Sequence, residues 1–357
     1  MRSNKHKSIN YKSIFEKKFI FKIGSNLSFY LSKCFIDQHN IKKYKIIFTR
    51  QGGDRNKDFK DLLALCNFCN IDIDKCLILD PKLDYNYLKM FFESNTIIKK
   101  IKKFINCKDF IYVTSLNYGM INSLIMKTYG INNDFFIIDD GITNWIKFKI
   151  RANIIKSILY SIALKRLIYL SNHEKNNYTQ ITSIVQNSYQ NKFINISEAF
   201  KKFLNKDYKK NIISSSTKFN VLILCAKTIH YKNGIINFLL NTRKILIDDN
   251  KNRFDYTNTT FHFKMHPGFE FNNKINLEKF NISILKTDIL PIEFYNLKNL
   301  DLIITPINTS LLYLIKLRLF EKKLIQYYDV FQKDYSEKLK LINPLKIKKF
   351  NNNNYQY

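Results

Sequence analysis

The chain has 357 residues, 45 % of them hydrophobic, which supplies enough apolar material for two domains with cores and excludes a disordered polymer. Its 59 Lys+Arg stand against 29 Asp+Glu, and the resulting net charge of +30 favours anionic partners such as nucleic acid, anionic lipid or a phosphorylated substrate. A zinc-finger spacing and an arginine-bearing reading helix are both missing, which argues against nucleic acid. No run of about 18 apolar residues argues for a membrane span.

Met1 to Lys18 is basic and polar, a leader without the apolar run of a signal peptide. Phe19–Ile23 then reads as a strand, Gly24-Ser25-Asn26 as a turn, and Leu27–Ile36 as a helix. Strands follow at Tyr44–Thr49, Cys76–Leu79, Phe110–Thr114 and Phe135–Ile138, alternating with helical stretches at Phe59–Leu65, Tyr85–Asn106 and Asn117–Tyr129. That alternation predicts a parallel sheet flanked by helices. Trp145 to Tyr208 reads as mostly helical, with its greasiest part, Ser157–Leu170, either a packed helix or an interfacial one on an anionic bilayer. Ser214-Ser215-Ser216-Thr217 is the expected linker.

A second run of the same character begins with the strand Val221–Leu224 and a helix over Gly234–Leu240. Further strands are predicted at Lys244–Ile247, Phe261–Met265, Leu302–Ile304 and Leu324–Tyr328, with Ile282–Leu285 extended. Ile292–Leu297 reads as a helical turn and Asn308–Leu319 as a helix. The tail from Lys348 is low in complexity. The expected domains are a leader at 1–18, a Rossmann-like unit at 19–212, a second at 218–345 and a tail at 346–357. The expected fold class is α/β, two Rossmann-like domains facing across a cleft.

Six cysteines spread over this length fit a reducing compartment. Cys66 and Cys69 have metal-ligand spacing, but no second pair follows, so they read as helix residues. Phosphate-binding glycine motifs of the P-loop and dinucleotide types are absent.

Chemistry-bearing residues fall at the ends of predicted strands. Asp139-Asp140-Gly141 closes the strand Phe135–Ile138, where open α/β sheets bind ligands. Lys264 and His266-Pro267 close the strand Phe261–Met265. Glu293 follows at Pro291-Ile292-Glu293, and Thr309-Ser310 opens the helix after Leu302–Ile304. Hydroxyls and N–H groups at a helix start form an anion site, and a nearby imidazole can hold a phosphate and offer a proton. A carboxylate at the same rim can bind both ribose hydroxyls. Each residue also has a plain reading: Thr309-Ser310 as a helix cap, His266 as a loop histidine, Glu293 as a turn residue.

Ile137-Ile138-Asp139-Asp140-Gly141-Ile142-Thr143-Asn144, Lys264-Met265-His266-Pro267 and Thr309-Ser310 together resemble the bacterial lipooligosaccharide sialyltransferases, glycosyltransferase family 52, and the related polysialyltransferases. The resemblance runs from about Phe19 to Tyr328. It implies a GT-B fold, transfer of sialic acid from CMP-sialic acid to a terminal galactose or sialic acid of a surface glycan, inversion, and no metal or other cofactor. It also implies Glu293 as the ribose-binding residue. In such a reaction Asp139 is the first choice for the base and Asp140 the second, while His266, Thr309-Ser310 and Lys264 receive the leaving phosphate, and Gly141 and Asn144 shape the acceptor side.

Further implications are a bacterial cytoplasmic location on the inner face of the membrane, a glycolipid acceptor and a homodimer. The chain departs from the family where Gly24-Ser25-Asn26 follows the first strand, a position at which members carry a Thr-Pro pair. Three other readings stay open: a transferase using a UDP- or GDP-sugar, a CDP-donor polyol-phosphate transferase, and a basic protein that binds polyanions without catalysis.

Overall fold

The computed structural model of the chain describes residues 14–49, 55–84, 86–115, 119–131, 135–139, 154–165, 178–183, 193–205, 210–211, 219–225, 234–249, 258–265, 277–285, 292–320, 324–328 and 348–349. The chain divides into two compact units, the first running to Phe200 apart from 141–147 and the second from Lys201 onward.

In the first unit the strands are β1 (Phe19–Ile23), β2 (Tyr44–Phe48), β3 (Cys76–Ile78), β4 (Ile111–Thr114), β5 (Phe135–Ile138), β6 (Tyr178–Thr182) and β7 (Phe193–Asn195). Between them run α1 (Asn26–Gln38), α2 (Arg55–Cys69), α3 (Tyr87–Ile105), α4 (Met120–Tyr129) and α5 (Ile154–Leu164). The strands form one parallel sheet in the order β3-β2-β1-β4-β5-β6-β7. Every residue of β1 is buried, as a central strand covered by helices on both faces requires.

Phe19 and Phe21 face α1, where Phe35 meets both rings edge-on at 5.8 and 6.2 Å. Ile20 faces the other layer, in a core with Ile101 of α3, Leu124 of α4 and Tyr160 of α5. Helix α1 starts at a reciprocal cap: Ser25 Oγ accepts from the Ser28 N–H at 3.1 Å and Ser28 Oγ from the Ser25 N–H at 3.2 Å. Eight glycines serve the whole sequence, and asparagine takes over part of their work. Asn40, Asn70, Asn106 and Asn281 all sit at positive φ, Asn106 ending α3 in the left-handed conformation.

The second unit repeats the plan. Its main strands are β9 (Phe219–Leu224), β10 (Thr259–Lys264), β11 (Ile282–Leu285), β13 (Leu302–Pro306), β14 (Leu324–Tyr328) and β15 (Lys348–Lys349). They form a parallel sheet in the order β11-β10-β9-β13-β14-β15. The helices are α6 (Ser197–Leu204), which straddles the division, α7 (Ile235–Asp249) and α8 (Thr309–Lys316). Two-residue strands β8 (Lys210–Asn211) and β12 (Tyr295–Asn296) pair separately. One sheet face packs Val221, Ile223, Phe261 and Phe263 against α7, and the other packs Leu222, Leu224 and Ile303 against Tyr295 and Leu314.

In both sheets the strand order reverses beside the first strand, at β1/β4 and β9/β13. Ligands of open parallel sheets bind outside the carboxyl ends at such points.

Several expectations change. Lys244–Ile247 is not a strand but part of α7. No glycine or proline interrupts that helix, and Phe238, Thr242 and Leu246, each four residues apart, are buried along it. Among the described residues the region after Trp145 holds two strands, β6 and β7, besides its helices. In β6 the Thr and Gln residues mask the strand signal. Ile292–Phe294 is a short 3-10 turn that runs directly into β12. The linker candidate Ser214–Thr217 lies outside the described residues.

Candidate functional site

Three of the residues singled out in the second unit come together from separate elements. Lys264 ends β10, Glu293 sits in the 3-10 turn, and Ser310 is in the first turn of α8. Lys264 is 7 % exposed and its Nζ stands 4.9 Å from the centroid of the Tyr295 ring. The Ser310 hydroxyl donates to the Glu293 carboxylate, and the Lys264 charge lies close enough to act on it. Asn308 is the cap of α8, its side chain accepting from the Leu311 N–H at 3.0 Å. Capping therefore falls to Asn308, which leaves the Ser310 hydroxyl available to Glu293.

Glu293 is 3 % exposed, and its Oε2 has no hydrogen-bond partner among the described residues. Burial pushes its carboxyl above the usual carboxylate range, while its own backbone N–H, the Ser310 hydroxyl and the Lys264 charge pull the other way. A buried carboxylate oxygen without a donor costs free energy unless a ligand supplies one. At the carboxyl end of a parallel sheet, beside a helix start and an ammonium, such an oxygen suits a ligand that is a hydroxyl donor and carries an anion.

In the first unit, Asp139 follows β5 and is fully buried. Its Oδ1 accepts from Gln180 Nε2 at 3.0 Å and its Oδ2 from the Ser183 N–H at 3.1 Å. Both donors belong to β6 or its end, so Asp139 ties the ends of two neighbouring strands together. The arrangement is that of a brace. Asp140, Gly141, Asn144, His266 and Pro267 lie outside the described residues. Thr309 occupies the first position of α8. Among the described residues no three His, Cys, Asp or Glu side chains converge as a metal site would require.

The first unit also holds polar groups that the sequence reading passed over. Lys22, inside the otherwise apolar Phe-Ile-Phe-Lys-Ile of β1, pairs with Asp84 at 3.4 Å, both fully enclosed. The other Asp84 oxygen accepts from the Ile121 N–H at 2.9 Å, capping α4 from outside because its own cap residue is Gly119. A Cβ on Gly119 would stand 2.1 Å from Asp84 Oδ1, so glycine there admits the carboxylate. A lone lysine in a fully buried strand is a signal for such a partner. Thr49 and Ser115, just past β2 and β4 on either side of β1, bury hydroxyl oxygens that have no partner among the described residues. Those positions flank the point where the strand order reverses.

No protein-family model matches the chain. No curated protein matches it by sequence. Among solved structures it is similar to Staphylococcus aureus MnaA in complex with UDP, at 12 % identity and a TM-score of 0.51, over 87 % of this chain and 79 % of that one. It is also similar to an α/β-galactoside α-2,3-sialyltransferase from the luminous marine bacterium Photobacterium phosphoreum, at 13 % identity and a TM-score of 0.47, covering 93 % and 98 % of the two chains. Acinetobacter baumannii MurG follows at 10 % identity and a TM-score of 0.43, covering 93 % and 86 %. At these identities the likeness is one of fold. The chain is an α/β protein of two Rossmann-like units with GT-B-like architecture.

Proposed function

We propose that the protein is an inverting glycosyltransferase that moves sialic acid from CMP-sialic acid to a terminal galactose or sialic acid of a bacterial surface glycan such as lipooligosaccharide. The single observation that carries the reading is the buried, half-satisfied carboxylate of Glu293 beside Lys264 and the start of α8. A ribose diol supplies the donors that Glu293 Oε2 lacks, and a phosphate suits the ammonium and the helix start. The motifs Asp139-Asp140-Gly141, His266-Pro267 and Thr309-Ser310 add the resemblance to sialyltransferases.

The acceptor hydroxyl loses its proton to a carboxylate of the Asp139-Asp140 pair as its oxygen bonds to the anomeric carbon. The bond from that carbon to the CMP phosphate oxygen breaks, and the electron pair leaves with the phosphate. Asp140 is the base in this account. Asp139 is held by Gln180 and Ser183, which favours its neighbour in the pair for the proton transfer. This reverses the order of preference that the sequence alone gave. His266, the N–H groups of α8 and Lys264 stabilise the departing phosphate, doing by fixed donors what a metal does for diphosphate donors. A glycolipid acceptor would bring the protein to the inner face of the cytoplasmic membrane.

A uridine donor is the second reading, supported by the fold shared with MnaA, whose structure holds UDP. Titrating the protein with CMP, UDP and GDP by calorimetry separates the two. Binding of CMP that Glu293→Ala weakens supports the proposal; binding of UDP alone overturns it.

A further inference from the structure

Helices α3 and α5 lie side by side, joined by the Tyr87–Tyr160 ring pair at 5.9 Å and by Lys165 Nζ placed 4.3 Å over the Phe91 ring. Their inner faces are core: Ile97 and Ile101 of α3, Tyr160 and Leu164 of α5. Their outer faces are also apolar. Leu88 and Phe92 are 72 and 74 % exposed, and Ile155, Ile158, Leu159 and Ile162 are 69, 54, 40 and 58 % exposed. The four isoleucine and leucine positions follow i, i+3, i+4 and i+7 spacing, so they form one continuous strip. Such a strip, exposed and covered by none of the described residues, marks an interaction surface.

Charge indicates what covers it. The Leu88–Phe92 stripe of α3 is continued about three turns further along the helix by Lys99 and Lys103, both exposed. Glu93 lies off that stripe and faces Lys89 at 3.8 Å. From Gly141 to His173 the sequence has no Asp or Glu but carries Lys147, Lys149, Arg151, Lys156, Lys165 and Arg166. An apolar strip edged by lysines in a chain of net charge +30 repels a second copy of itself and suits an anionic surface with a greasy interior. No helix of the described residues is long and apolar enough to cross a membrane.

We infer that the α3–α5 face is a docking surface for an anionic lipid bilayer, with Phe92, Ile155, Ile158 and Ile162 entering the acyl boundary and Lys99 and Lys103 resting on headgroups. The inference stands on the first unit alone and does not depend on which sugar nucleotide the second unit holds.

Flotation of the full chain with vesicles tests it. Mixed phosphatidylcholine–phosphatidylglycerol vesicles should retain at least about tenfold more protein than phosphatidylcholine alone, and the difference should shrink between about 0.1 M and about 1 M salt. The triple variant Phe92→Gln, Ile158→Gln, Ile162→Gln should lose about tenfold or more of vesicle binding. Lys99→Glu with Lys103→Glu, at two exposed positions, should lose a similar factor while its thermal unfolding stays that of the parent. Both variants should process a water-soluble acceptor as the parent does, so failure of the sugar-transfer reading would leave the vesicle result standing. Equal retention on neutral vesicles, parental binding by both variants, or a dimer that the triple variant abolishes without any vesicle binding would overturn the inference.

Discussion

Ser310 donates a hydrogen bond to the carboxyl group of Glu293 and so joins the first turn of α8 to a buried acidic group in the 3-10 turn before β12. Lys264, closing β10, completes the group. Among the described residues one oxygen of Glu293 lacks a donor, a cost that a ligand hydroxyl would offset. Glu293→Ala is accordingly expected to weaken CMP binding about tenfold to a hundredfold, the scale of a hydrogen bond to a charged group. Calorimetric titration of the two proteins measures it, and a near-identical affinity would remove Glu293 from the site.

The same carboxylate makes a prediction about pH. Burial raises its folded pKa above that of the unfolded chain, so the native state holds the proton more tightly. This contribution to stability is therefore greatest in acid and is lost as pH rises from the ordinary glutamate value of about 4.3 through the raised folded value. Glu293→Gln has no such titration. It should be more stable than the parent at about pH 8 and lose that advantage near about pH 4, as urea melts at the two pH values would show.

Asp139 and Asp140 should separate by the kind of damage each causes. Asp139→Asn puts an amide N–H₂ against either Gln180 Nε2 or the Ser183 N–H, and should cost about 1–3 kcal/mol of stability. Asp140→Asn should cut transfer about a hundredfold or more with unfolding unchanged. Denaturant melts and initial rates on both variants decide between the two assignments. Transfer at the parental rate by Asp140→Asn would return the base to Asp139 or away from the pair.

Lys22→Met leaves the Asp84 carboxylate enclosed without its counter-charge and should destabilise the first unit by about 3–5 kcal/mol. Gly119→Ala should also destabilise it, by about 1–3 kcal/mol, because the new methyl falls on Asp84 Oδ1. Thermal melts of the two variants test this, and loss in one but not the other would separate the ion pair from the helix cap.

Much of this was legible in the residues because buried parallel strands announce themselves as short apolar runs. Phe135–Ile138 and Val221–Leu224 are cases in which four apolar residues in a row form a buried strand. Lys244–Ile247 deceived by the same rule, since β-branched residues fill a helix wherever the burial repeat is four. The meeting of Lys264, Glu293 and Ser310 was foreshadowed by their places at element ends. What no reading of one chain supplies is the pairing of Asp139 with Gln180 and Ser183 across β5 and β6, or that of Lys22 with Asp84, because both depend on strand order in space. Asp139, the first choice for the base on the residues alone, accepts from both Gln180 and Ser183.

The account is tested most directly by incubating the protein with CMP-sialic acid and a panel of galactosides and reading the products by mass. It predicts a sialylated galactoside formed together with CMP, suppressed by Asp140→Asn and slowed at low donor concentration by Glu293→Ala. Intact CMP-sialic acid in the presence of every acceptor, with turnover of a UDP-sugar instead, would contradict it.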